Sequence, residues 1–123
     1  MAFWVSGVDS PQEIYTRTGD GRDLVVMSGT AYFNFKGTGS AWRRDDAYVV
    51  IGPFWHRLDD VAPMAALGSW SNDHTAVDAG AAVDNCRWAV YNGRILLQVA
   101  LAVRDSDGWV HRFGYTATAV GIR

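Results

Sequence analysis

Apolar and polar residues alternate through much of this chain. In residues 85–91 (NCRWAVY) Cys86, Trp88 and Val90, and in 94–104 (RILLQVALAVR) Ile95, Leu97, Val99, Leu101 and Val103, hold every second position, the period of a strand with one face buried. Asn92-Gly93 lies between these runs and suits a two-residue turn in which both residues take positive φ. Asp105-Ser106-Asp107-Gly108 makes a further break, and residues 109–120 (WVHRFGYTATAV) resume the alternation. The three runs predict a three-stranded antiparallel meander.

The turns propose a register. A two-residue turn at Asn92-Gly93 sets Tyr91 opposite Arg94, Val90 opposite Ile95, Trp88 opposite Leu97 and Cys86 opposite Val99. A three-residue loop of Ser106, Asp107 and a left-handed Gly108 sets Asp105 opposite Trp109, Val103 opposite His111, Leu101 opposite Phe113 and Val99 opposite Tyr115. One face then carries the bulky residues, with His111 and Tyr115 among them, and is expected to be core. The other is small and mixed: Ala89, Ala100, Ala102, Gly114, Thr116 and Thr118 beside Arg87, Gln98, Arg104 and Arg112.

The first third also reads as β. Residues 13–18 and 22–36 flank Gly19-Asp20-Gly21, and Gly29 inside the longer run suggests a bulge or bend. Residues 2–6 form a further strand candidate, and residues 37–41 (GTGSA) a loop. Residues 47–51 (AYVVI) form a strand stopped by Gly52-Pro53. Residues 54–67 are open to a short helix interrupted by Pro63, and the polar run from Ser69 to Thr75 precedes an Ala/Gly-rich strand candidate. The expected fold is all-β: a single-domain antiparallel β-barrel or β-sandwich of about 7–9 strands, with at most one short helix.

Composition supports that class. Of the 13 acidic residues only Glu13 is a glutamate, and of the 11 basic residues only Lys36 is a lysine. A chain so poor in Lys and Glu is badly supplied for exposed helices, although a GC-rich coding sequence produces the same bias. The length of 123 residues suits one domain. The net charge of −2 gives no basic excess for nucleic acid or an anionic membrane. Cys86 is the single cysteine, so an internal disulfide is excluded. Residues 1–8 lack the features of a secretory signal and no run is long enough to span a membrane as a helix, so a cytoplasmic protein is expected.

Candidate chemistry is sparse. His56-x-x-Asp59-Asp60 and Asp73-His74 are the local combinations with metal-ligand character, and neither has an established spacing, so no metal is expected. Asp105-x-Asp107-Gly108 starts like a calcium loop, but the next residues supply no carboxylate, and a turn explains it. No nucleophile motif, phosphate loop or cofactor signature is present.

Six tryptophans are the remaining signal. Phe54-Trp55-His56 and Ser69-Trp70-Ser71-Asn72-Asp73-His74 each place an indole beside hydrogen-bonding side chains, and Trp42 precedes paired arginines. An indole with such neighbours can hold a ring ligand, or can simply anchor a core. The reading is a protein that binds a small organic molecule or a carbohydrate through Trp42, Trp55, His56, Trp70, Asn72 and His74. One alternative is a metal-independent enzyme of cyclase or isomerase type, with His111, His56, Tyr115 and Asp73 as acid–base candidates. Another is a structural role in which the small-residue face meets a second copy of the chain.

Overall fold

The computed structural model describes residues 2–72, 80–104 and 108–123. These residues form β1 (Ala2–Trp4), β2 (Gly7–Arg17), β3 (Asp23–Lys36), β4 (Arg43–Ile51), β5 (Arg57–Asn72), β6 (Gly80–Tyr91), β7 (Arg94–Arg104) and β8 (Gly108–Ile122). Two four-stranded sheets result, the first in the order β1-β4-β7-β6 and the second in the order β2-β3-β8-β5. The fold is a sandwich rather than a closed barrel, and no helix occurs among the described residues.

The β6–β7 hairpin has the register set by its turn. Tyr91 pairs with Arg94, Val90 with Ile95, Trp88 with Leu97 and Cys86 with Val99. Asn92 and Gly93 take φ of 50° and 75°, as a two-residue turn of this kind requires.

The meander does not extend to β8. β7 lies between β4 and β6 in the first sheet, whereas β8 lies between β3 and β5 in the second. Val103, Leu101 and Val99 therefore pair with Arg43, Asp45 and Ala47 of β4, not with His111, Phe113 and Tyr115. A turn sequence encodes a reversal but not the sheet in which the next strand lands. The proposed loop residues 105–107 lie outside the described residues, and Gly108 is the first residue of β8. Most of the inward face survives the change, because Val99 and Leu101 on one sheet and Phe113 and Tyr115 on the other are all buried, but Val90, expected among the core residues, is exposed near the end of its strand.

Three further expectations are corrected. Residues 57–67 are strand, not helix, with Val61 buried between outward Asp60 and Ala62. Pro63 is tolerated because β5 is the edge of its sheet, where a missing N–H leaves no ladder bond unmade. Gly29 is paired regularly with Tyr115, and the irregularity lies opposite it in β2 between Asp9 and Gln12. Strand β1 runs parallel to β4, an exception to the antiparallel rule of the other pairs.

Between the sheets lies an apolar core whose fully buried members include Met27, Ile95, Leu97, Leu101 and Phe113. Burying each such side chain contributes roughly 1.5–3 kcal/mol before entropy is subtracted. Among the described residues no polar or charged residue is buried with them.

Candidate functional site

The second sheet loses its regularity at one level across three adjacent strands. The β3–β8 pairing slips between Tyr32 and Phe35, and the β5–β8 pairing slips on both sides of Ser69. In β8, Val110 and Phe113 point inward three positions apart, so His111 and Arg112 both reach the outer face. Bulges of this kind re-aim side chains and bend the strand that carries them. Here they open a groove of about 680 Å³ on the outside of the sheet.

The groove is lined by Ser6, Tyr32, Asn34, Ser69, His111 and Arg112, with Phe33 and Gly68 completing it. His111 Nδ1 lies 3.2 Å from the Asn34 side-chain oxygen. Its ring stacks on Trp109 with centroids 6.2 Å apart and planes 7° from parallel, and the Lys36 ammonium lies 5.2 Å from the Trp109 ring. The Arg112 guanidinium lies 3.8 Å from an Asp9 carboxylate oxygen. Tyr32 is 38% exposed and lies over Gly7, where a Cβ would fall 2.2 Å from the phenol oxygen. The site thus combines one half-exposed aromatic ring with amide, hydroxyl, imidazole and guanidinium groups.

The residues singled out from the sequence fall in separate places. Trp42 precedes β4 and Trp55 follows it, and a strand of nine residues spans roughly 30 Å. Trp42 is half exposed, with the Arg44 and Arg104 guanidinium carbons 6.0 and 5.8 Å from its ring centre. Trp55 is a core residue, 3% exposed, and its indole N–H has no hydrogen-bond partner among the described residues. His56, the next residue, is exposed and meets Phe54 edge-on at 5.2 Å. The backbones of Trp70 and Asn72 pair with those of Val110 and Gly108. Asp73 and His74 lie outside the described residues.

The described acid–base candidates do not converge either. His111 is in the groove on the outer face, a correction to its expected place on the core face. His56 lies beside the β8 terminus, where its backbone N–H donates to the Ile122 carbonyl at 2.8 Å. Tyr115 is buried between the sheets, and that burial pushes its phenol up, with Glu13 adding to the effect. Burial likewise pushes the Cys86 thiol up. No cluster of three or more His, Cys, Asp or Glu side chains is placed to hold a metal ion among the described residues.

No known protein family, curated protein or solved structure matches this chain. Of the groove residues, Ser69 opens a polar run singled out from the sequence, whereas Ser6, Asn34 and Arg112 carry no motif there. One signal pointed to them: the three-residue spacing of Val110 and Phe113 breaks the alternation and marks a bulge.

Proposed function

We propose that this protein binds a small polar ring compound, of monosaccharide or disaccharide size, in the groove on the outer face of the second sheet. The observation that carries the reading is the coincidence of irregularities in β3, β8 and β5 at one level. A regular sheet presents a nearly flat surface, whereas this one has a concavity within the roughly 300–1,000 Å³ range of small-ligand sites. The exposed face of Tyr32 offers a stacking surface for the apolar side of a sugar ring. Asn34, Ser6, Ser69, His111 and Arg112 offer both donors and acceptors to its hydroxyls.

The test is calorimetric titration of the intact chain with a panel of monosaccharides and disaccharides, repeated on Asn34→Ala and Tyr32→Ala. Saturable binding that each variant weakens by about tenfold supports the reading. Absence of binding across the panel, or binding that both variants leave unchanged, overturns it.

A further inference from the structure

The two sheets are not closed along one side. Strand β1 pairs with β4 only over Asp46–Tyr48, and the chain then crosses to the second sheet, where the Ser6 N–H donates to the Tyr32 carbonyl. The last residues of β4 therefore extend beyond their neighbour. Between them and β2 lies a cleft of about 220 Å³. Val8, Met27 and Ile51 supply its apolar walls, Glu13 and Arg94 stand at its mouth, and Tyr115 reaches it from β8.

Tyr115 is the unusual member. Its ring passes over Gly29, where a Cβ would fall 2.5 Å from the phenol oxygen. The residue is 95% buried, at 5% exposure, yet its hydroxyl makes no hydrogen bond among the described residues. Nor is that oxygen sealed in the interior, since the buried unpartnered side-chain polar atom among the described residues is the Trp55 indole nitrogen. It opens instead to the cleft that it lines. A hydroxyl that faces a cleft lined by Val8, Met27 and Ile51 beside Gln12, Glu13 and Arg94, with no partner among the described residues, is a hydrogen-bonding position waiting for one.

The charged groups at the mouth are of opposite sign, and each is hydrogen-bonded to a neutral group. Arg94 Nε donates to the Gly52 carbonyl at 2.9 Å, and Glu13 accepts from the Tyr15 hydroxyl. A charged head beside the Tyr115 hydroxyl would feel both charges, opposite in sign, and would lose hydration beside Met27 and Ile51 for little net attraction.

We propose that this inter-sheet cleft is a second binding site, which takes a small neutral amphiphile. Its apolar body packs on Val8, Met27 and Ile51, and a single hydroxyl, carbonyl or amide head hydrogen-bonds the Tyr115 hydroxyl. This site is separate from the groove on the outer face, and either can fail without the other.

The experiment follows the methyl resonances of the methionines in the intact chain during titration with 1-hexanol, with hexanoate and hexylammonium as charged counterparts. Met27 lines the cleft, and the exposed Met64 is the internal control. The expected result is a saturable shift of Met27 with 1-hexanol and none of Met64. The charged probes bind about tenfold more weakly, and Tyr115→Phe weakens 1-hexanol about fivefold. Val8→Phe, which fills the cleft from an edge strand, abolishes the Met27 shift and serves if Tyr115→Phe does not fold. No saturable Met27 shift, equal binding of the charged probes, or binding unchanged in Tyr115→Phe or Val8→Phe overturns the proposal.

Discussion

Gly29 and Tyr115 stand directly opposite each other on β3 and β8, and the phenol occupies the space that a side chain at position 29 would need. A glycine in a strand interior ordinarily weakens it, and here it makes room for the Tyr115 ring. Gly29→Ala is expected to destabilise the protein by roughly 1–3 kcal/mol, because the ring must leave its place in a packed interior. Gly114, next to Tyr115 but facing outward, has nothing within 4 Å of a Cβ, so Gly114→Ala should stay within about 0.5 kcal/mol. Urea denaturation of the two variants checks the contrast, and equal losses would contradict it.

Gly93 is constrained twice. Its φ of 75° favours glycine, and a Cβ there would fall 2.1 Å from the Phe54 ring. Gly93→Val should cost roughly 1–3 kcal/mol through the backbone alone, with a further loss from displacing Phe54. A double-mutant cycle with Phe54→Ala separates the two. The steric part should vanish in the Phe54→Ala background and the backbone part should remain. A melting temperature unchanged by Gly93→Val would contradict the turn.

Trp55 packs in the core with its indole N–H unpartnered among the described residues. Trp55→Ala should cost roughly 3–5 kcal/mol from the lost volume. Trp55→Phe keeps most of that volume and removes the unsatisfied donor, so its cost should be under about 1.5 kcal/mol. Chemical denaturation distinguishes them, and a loss in Trp55→Phe as large as in Trp55→Ala would show that the N–H has a role.

The turn between β2 and β3 gives a pH prediction. Asp20 is lowered from its ordinary 3.8 to about 2, first by the hydrogen bond from Thr18 and then by Arg22. Arg22 also reaches Asp59 at 3.2 Å, where Arg57 is the larger cause of a lowered carboxyl. A depressed carboxyl stabilises the fold above its unfolded pKa and loses that contribution as pH falls through the folded one. The melting temperature should therefore drop between about pH 4 and about pH 2, and Asp20→Asn should flatten part of that drop. An identical slope in the variant would contradict the assignment.

Strand positions and inward faces were legible because a two-residue period fixes which residues face the core. Leu97, Val99, Leu101, Phe113 and Tyr115 were identified as buried without knowledge of their sheets. The sheet of β8 was not legible, because the break before Gly108 looks the same whether the chain folds back beside β7 or crosses the sandwich. Strand β5 was hidden by Pro63, whose tolerance depends on being at an edge, and by alanines that blur the alternation around Val61. The groove was hidden for a related reason. Asn34, Ser69 and Arg112 are ordinary outward residues until the slips in three strands bring them together. His111 was noticed, but strict alternation put it on the wrong face.

The coincident bulges of β3, β8 and β5 are proposed to form the ligand groove. Backbone amide shifts of the intact chain, followed during titration with the tightest-binding sugar of the panel, test it directly. Saturable changes concentrated at Asn34, Ser69, His111 and Arg112 are expected, with Trp42 and His56 unmoved. Changes centred on Trp42 or His56, with those four residues silent, would contradict it.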